Sequence, residues 1–179
     1  RAYDKRIVIS EGASINSHQG LVMRANSYGF RGSYQSSSHS MSCSVIAQDG
    51  KGMQRDMWYS VSRLADELED AEAIGRKAAQ RALKRLGARK IATQKLPVIF
   101  HADIASGIIG HMVGAIRGGS LYRNTSFLLD QLNERIFPSW LSIVERPRIK
   151  KAIASAPFDR EGVLTQDRDI IKNGVLQTY

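Results

Sequence analysis

The chain has 179 residues, 42% apolar and 24% charged, which is typical of a globular protein with a buried core. No apolar stretch approaches the roughly 20 residues of a membrane-spanning helix, and the single cysteine, Cys43, excludes both a disulfide framework and a cysteine-based zinc site in this segment. The formal net charge of +9 is the one unusual feature, and we favour the explanation that this is the basic part of a longer, more balanced chain. Because the sequence starts without methionine or a secretory signal and ends in a predicted partial strand, we expect both ends to continue, no membrane partner and a cytoplasmic location.

The first sixty residues predict an antiparallel β meander. In its clearest strand Met41, Cys43 and Val45 alternate with serines, as the two faces of a half-buried strand do. Leu21 and Met23 share a face of an earlier strand, and Asp-Gly-Lys-Gly at 49–52 predicts a turn. The predicted strands are residues 6–9, residues 19–26, a stretch in which Tyr28, Phe30 and Tyr34 share a face, residues 39–45 and residues 53–61.

An amphipathic helix is predicted next. Its apolar stripe has spacings of three and four and comprises Ala71, Ile74, Ala78, Ala82 and Leu86, widened by Gly75, Ala79 and Leu83. Acidic residues at 66–72 and basic residues at 81–85 complement the helix dipole at its two ends, and Gly87 is a natural stop. Part of the basic charge therefore belongs to helix structure and implies no ligand.

The second half predicts a short strand, a second helix and a β-rich remainder. Residues 89–95 are a basic connector, and residues 96–100 are a short apolar strand. Asp103 is expected to cap a helix running to about Arg117, ended by Gly118 and Gly119. Asn173-Gly174 predicts a tight hairpin. The fold class is α+β: an antiparallel β meander plus helix, then a short strand, a glycine-rich helix and a β-rich region.

Common catalytic signatures are absent from the sequence. It contains no dinucleotide fingerprint, phosphate loop or nucleophile elbow. We expect Cys43 to be a buried apolar residue. Asp159 and Glu161 either face one site from a strand or belong to a charged turn, and we favour the turn. No two histidines lie three to five residues apart, so we expect structural or surface roles for His18, His39, His101 and His111.

The second helix is the most informative element. One ridge is predicted to carry Ile104, Ile108, Met112 and Ile116. A neighbouring face is predicted to carry Gly107, Gly110, Gly114 and Gly118, with His111 and Ala115 at its edge. Each interior glycine costs about 1 kcal/mol relative to alanine, and close approach of another backbone is the usual reason for accepting that loss.

Several ordered motifs resemble the TldD/PmbA family of metallopeptidases. They are Ser-Glu-Gly at 10–12, Arg-Lys-Ile-Ala-Thr at 89–93, Pro-Val-Ile-Phe at 97–100, residues 110–120, Pro-Phe-Asp-Arg-Glu-Gly-Val at 157–163 and the hairpin through 173–174. The resemblance implies that the segment is the middle of a protein two to three times longer. Residues 1–94 would be the C-terminal part of the family's N-terminal domain, and residues 95–179 the start of its C-terminal domain.

The resemblance also implies a function. The family forms intracellular zinc peptidases of paired subunits, which process or degrade small unfolded peptides. In the catalytic TldD branch a helix carries His-Glu-x-x-x-His and a later acidic residue. With Val113-Gly114 placed on the matching pair, the metal histidines fall at Gly110 and Ala115, the base at His111 and the acidic residue at Gly118.

Every functional position of that motif is therefore replaced, as in the metal-free PmbA (TldE) branch. The resemblance implies a chain with no catalytic residue and no metal, which pairs as a heterodimer with a catalytic TldD-type homologue that holds the zinc. Gly107, Gly110 and Gly114 would form a packing or peptide-channel face.

Two other functions remain open at this point. The first is a basic, nucleic-acid-associated or gyrase-modulating protein, suggested by older family names, by the charge and by the cluster of Tyr28, Phe30, Arg31 and Tyr34. We do not expect nucleic acid to be a partner, because both features have structural explanations. The second is an active metallopeptidase whose ligands lie outside this segment.

Overall fold

A computed structural model describes residues 2–50 and 52–179. The chain forms two compact units: the first contains Arg1–Ile91 with Arg148–Thr165, and the second Ala92–Pro147 with Gln166–Tyr179. Because residues 148–165 belong to the first unit, this division does not decide the predicted domain boundary at 94/95, which stays a prediction. No helix in the described ranges is long and apolar enough to cross a membrane.

The first unit is built on an antiparallel sheet of order β1-β2-β3. Its strands are β1 (Ile7–Ala25), β2 (Arg31–Asp49) and β3 (Gly52–Ser62). The predicted meander is confirmed, but its first four predicted strands are parts of two 19-residue strands. Residues 10–18 contain no proline, so β1 continues through them in register with β2 across two β-bulges. The predicted turn at Asp49-Gly50 and Gly52 is confirmed, and Lys51 lies outside the described residues.

The helix α1 (Ala71–Lys84) covers one end of this sheet. Asp70 caps it, because its carboxylate accepts hydrogen bonds from the backbone amides of Glu72 (3.0 Å) and Ala73 (3.1 Å). The predicted stripe is confirmed except at its first residue, which is exposed. The buried core consists of Ile7, Val45, Ala47, Ala78, Ala79 and Ala82, with Cys43, Trp58, Leu83 and Leu86 packed against it.

Residues 148–165 complete the first unit. Phe158 packs edge-on against Phe30 and Tyr34, with ring centroids 5.0 and 5.3 Å away. Tyr28, predicted to share their face, instead lies exposed in the turn between β1 and β2. The turn therefore separates Tyr28 from the two half-buried aromatic residues that pack against Phe158.

The second unit has two helices and a small antiparallel sheet of order β4-β5-β6. The elements are α2 (Ala102–Ala115), α3 (Gly118–Tyr122), β4 (Ile143–Glu145), β5 (Arg168–Lys172) and β6 (Val175–Leu176). Asn173 and Gly174 join β5 to β6 with φ angles of 49° and 82°, so the predicted tight hairpin is confirmed. The buried core of the second unit consists of Met112, Ile116, Leu128, Ile170, Ile171 and Leu176.

Three local predictions in this unit are wrong. Residues 96–100 form no strand and are exposed, since nothing among the described residues pairs with them. His101, not Asp103, caps α2, because its Nδ1 atom accepts a hydrogen bond from the Asp103 amide (3.3 Å). Gly118 and Gly119 do not simply end α2; they begin α3.

Candidate functional site: a glycine-faced helix and a basic groove

The buried side of α2 is set by its C-terminal half. Met112 and Ile116 are each 5% exposed and pack against β5 and β6. The predicted ridge is only half right, because Ile104 and Ile108 at the other end remain 63% and 43% exposed. The N-terminal half of α2 thus extends beyond the small core that holds its C-terminal half.

The glycine face was predicted to neighbour the apolar ridge, but it lies opposite the buried side of α2. At about 100° per residue, Gly107, Gly110 and Gly114 project roughly 180° away from Met112 and Ile116. A Cβ atom built on any of these glycines meets no atom within 4 Å. The backbone predicted to pack there is not found in the described part of the chain, so the packing or peptide-channel role remains a prediction about other chains or segments.

The positions matching the zinc motif do not fit a metal. Gly110 and Ala115 carry no donor atom, and Gly118 lies beyond the end of α2 at the start of α3. His111 is exposed on α2 and is the only one of the four matched positions with a donor side chain. Across residues 2–50 and 52–179, no group of three or more His, Cys, Asp or Glu side chains is arranged to hold a metal ion.

The other candidate residues make contacts within the fold and do not form a shared site. His39 is buried, and its Nδ1 atom lies 2.9 Å from the Ser17 hydroxyl. Cys43, expected to be buried, is half-buried and packs against the core of the first unit. Asp159 accepts hydrogen bonds from the amides of Glu161 and Val163, both 2.9 Å, so the pair belongs to a turn and does not face one site.

A basic groove of about 890 Å³ lies within the first unit. Its floor comes from the paired strands β1 and β2, and its wall from residues 148–157; three of its side chains are cationic: Arg63, Arg148 and Lys151. No carboxylate is among its described lining residues. Polar groups that line it include Gln19, Gln35, Ser36 and Ser37.

The three cations of the groove differ in what they contact. Arg63 donates to the Ser36 hydroxyl (2.6 Å) and to the backbone carbonyls of Ser37, Ala152, Ile153 and Ser155. Lys151 bonds Glu67 at 2.7 Å, and this bond, with one from Ser62, holds the pKa of Glu67 below its usual value. Arg148 is exposed and has no hydrogen-bond or ion-pair partner within the described ranges.

Sequence reasoning missed this groove. The cations come from positions almost ninety residues apart, so only the fold brings them together. The one local signal was the run Arg-Ile-Lys-Lys at 148–151, which stands out within the loop region. A basic run alone more often marks a solvated surface than a binding groove.

Family models match both parts of the chain. The central-domain model of the PmbA/TldA metallopeptidases matches residues 1–86, and the C-terminal-domain model matches residues 93–179. The chain is 49% identical over 176 residues to the metalloprotease PmbA of Escherichia coli O157:H7 and equally to the PmbA homologue of Haemophilus influenzae. Each alignment covers 98% of this chain and 39% of the relative, so the chain spans about two fifths of the length of these proteins.

Solved structures with the same fold come from bacteria and an archaeon. A candidate modulator of DNA gyrase from Bacteroides thetaiotaomicron is 32% identical with a TM-score of 0.91, over 98% of this chain and 40% of that one. A similar protein from Thermotoga maritima is 27% identical with a TM-score of 0.89, over 99% and 41%. TldE from Thermococcus kodakarensis, at 21% identity and a TM-score of 0.76, shares the fold over 100% and 40%.

Proposed function

Because this chain belongs to the PmbA/TldD metallopeptidase family, we propose that it is part of the metal-free subunit of a cytoplasmic peptidase that processes small unfolded peptides. In this proposal a catalytic homologue holds the zinc and cleaves the peptide. The present chain supplies surface that pairs with that homologue and helps enclose the peptide. Family membership alone is compatible with either kind of subunit, and the composition of α2 supports the metal-free one.

The observation that carries the proposal is the composition of α2. Where a catalytic relative is expected to place metal-binding histidines, Gly110 and Ala115 stand without donor atoms. The helix nevertheless remains a regular 14-residue element, with Gly107 and Gly110 exposed, Gly114 half-buried, and room for a Cβ atom at all three. Glycines on the solvent side of a helix lower its stability by about 1 kcal/mol each, which is understandable if that face meets a partner backbone or a peptide.

Two observations argue against nucleic acid as the main ligand. Many of the basic side chains are already paired with carboxylates, among them Arg6, Arg55, Arg76, Lys77, Arg81, Arg85, Arg146, Lys151 and Arg168. In addition, the aromatic rings of Phe30 and Tyr34 pack against Phe158, so they do not form an open stacking platform.

The proposal is tested with the full-length protein alone and mixed with a catalytic homologue. We expect no stoichiometric zinc and no peptide hydrolysis from the protein alone, and a complex of defined mass that hydrolyses peptides when the two are mixed. Zinc retained through mild chelation, or hydrolysis without a partner, would instead support the active metallopeptidase with ligands outside this segment. Binding to duplex DNA that weakens steeply with salt would support the nucleic-acid function.

A further inference from the structure

The basic groove of the first unit holds one cation whose charge is not used by the fold. Arg63 is saturated by a hydroxyl and backbone carbonyls, and Lys151 is neutralised by Glu67. Arg148 is left without a partner in the described part of the chain, at a groove with no lining carboxylate. The groove therefore presents uncompensated positive charge to whatever enters it.

The shape of the groove is maintained by contacts that do not involve Arg148. The Arg63 guanidinium fixes the wall through the carbonyls of Ala152 (3.2 Å), Ile153 (2.7 Å) and Ser155 (3.1 Å). A second support is the ion pair of Lys151 with Glu67. Because these contacts already hold residues 148–157, Arg148 is not required to hold the wall.

The remaining lining suits a peptide. Four polar residues of the lining lie on two paired strands, and the hydroxyls of Ser36 and Ser37 already bond to Arg63, at 2.6 and 2.7 Å. Gln19 and Gln35 remain, and amide groups both donate and accept hydrogen bonds, as peptide groups require. The volume of about 890 Å³ falls within the usual range of small-ligand sites, about 300–1,000 Å³.

From this geometry we propose that the groove binds an extended peptide segment rich in carboxylates, with Arg148 pairing with one of them. The inference deepens the proposed function, on which it rests, by naming the class of peptide that the subunit prefers. Arg148 acts as a specificity-determining residue: it touches the peptide and takes no part in cleavage. Arginine suits this role because its planar guanidinium matches a carboxylate with two parallel hydrogen bonds.

The test measures binding of a fluorescently labelled ten-residue peptide with four glutamates to the full-length protein, against a counterpart with four glutamines. We expect the protein to bind the acidic peptide about tenfold more tightly at low salt, a ratio that corresponds to about 1.4 kcal/mol. Raising the salt concentration should reduce the ratio, because exposed charges are screened. Equal affinity for the two peptides, or no binding of either, would overturn the inference.

Variants separate the groove from general surface charge. Arg148→Glu should abolish the preference for the acidic peptide, whereas Arg148→Lys should keep most of it. The matched control is Lys150→Glu, which makes the same change in charge at an exposed residue outside the groove lining. Equal losses in Arg148→Glu and Lys150→Glu would show that only the total charge matters and would refute a defined site.

Two further measurements fix the ligand class. A single-stranded oligonucleotide with the same number of charges should compete poorly with the acidic peptide; equal competition would mean a general polyanion surface and would refute the peptide assignment. Pairing with the catalytic homologue is measured separately by mass. If pairing and hydrolysis of the neutral peptide persist while the acidic preference is absent, the groove inference fails and the proposed function stands. If pairing itself fails, direct peptide binding still tests the groove.

Discussion

Gly174 occupies a position that no other residue type fits. Its φ of 82° lies in the left-handed region, and an added Cβ would overlap the Phe137 carbonyl oxygen and lie 2.7 Å from that of Pro138. Gly174→Ala should therefore lower the free energy of unfolding by roughly 2–4 kcal/mol, combining backbone strain with steric conflict. Urea denaturation of the full-length protein measures this change.

The matched control for that substitution is Gly107→Ala in the same unit. A Cβ atom at Gly107 meets nothing within 4 Å, and the residue lies inside a helix. The free energy of unfolding should rise by up to about 1 kcal/mol, because alanine is the better helix former. If both alanine variants behaved alike, the close approach of Phe137 and Pro138 to Gly174 would not determine this turn.

Asp56 links β3 to α1 through Arg81 (3.1 Å) and Arg85 (3.5 Å), and its side chain is 13% exposed. Burial tends to raise its pKa, but hydrogen bonds from the Met57 amide and from Arg81 outweigh that effect, and the pKa of Asp56 lies below its usual value. A carboxylate with a lowered folded-state pKa stabilises the protein above its unfolded pKa, near 4, and loses this contribution as pH falls through the folded value.

We therefore expect Asp56→Asn to destabilise the protein by about 1 kcal/mol at neutral pH. The difference from the parent should shrink as the pH is lowered below about 4, because the parent carboxylate becomes protonated. Denaturation curves across this pH range measure the difference. The exposed pair of Arg55 with Glu11 is the comparison, and Glu11→Gln should have a smaller effect, since exposed pairs contribute little.

At the scale of single elements, the sequence pattern predicted those strands, helices and turns whose formation depends on neighbouring residues. The strand around Cys43 and the stripe of α1 were predicted correctly, because each pattern places apolar side chains on the one face that packs into the core. The hairpin at Asn173-Gly174 followed from turn chemistry. What local patterns could not supply was the length of β1 and β2, whose ladder stabilises polar residues between the predicted strand ends.

Three of the misses concern long-range partners. Residues 96–100 have the β-branched character of a strand but no neighbour to pair with in the described chain. Ile104 and Ile108 continue the ridge of α2 past the end of the core that would bury them. The groove around Arg148 was missed for the same reason, since its wall and floor are distant in sequence.

The glycine face of α2 gives a prediction that separates folding from pairing. Since a Cβ at Gly114 meets nothing, Gly114→Ala should leave the full-length subunit folded and at least as stable as the parent. Gly114→Leu should also fold, but it should weaken pairing with the catalytic homologue or block peptide passage, because its side chain would occupy space reserved for another backbone. Thermal melts report folding, and mass measurement reports pairing.

Each outcome for Gly114→Leu has a distinct meaning. Loss of pairing or of peptide hydrolysis with an unchanged melt would support the packing or peptide-channel role. A leucine variant that pairs and functions like the parent would show that the face is simply open. If Gly114→Leu lowered the free energy of unfolding of the unpaired subunit by about 1–3 kcal/mol, another part of the same polypeptide would have to pack against the glycine face.

At the scale of the whole molecule, the chain leaves its first unit and later returns to it. Residues 148–165 belong to the first unit although the segments on either side of them belong to the second. Arg63 supports this return, because its guanidinium bonds three carbonyls about ninety residues further along the chain. The Phe158 ring adds apolar contact with Phe30 and Tyr34.

Because residues 148–165 belong to the first unit, weakening their contacts should increase local opening in that unit only. Arg63→Ala removes charge-assisted hydrogen bonds that are each worth about 1.5–3 kcal/mol, so local opening of residues 148–157 should become much more frequent. Amide hydrogen exchange in the full-length protein should accelerate at Ala152 and Ser155, whose amides bond to nearby carbonyls. Exchange in β5 and β6 of the second unit should stay unchanged.

Arg55→Ala is the control for that measurement, because Arg55 is exposed and makes one ion pair with Glu11. It should leave exchange at 148–157 as in the parent.

The Arg63→Ala variant also connects the fold to the groove, since the wall that presents Arg148 would no longer be held. Acidic-peptide preference should therefore fall in Arg63→Ala although Arg148 is intact. Accelerated exchange in both units alike would mean that they unfold together and that Arg63 stabilises the chain as a whole.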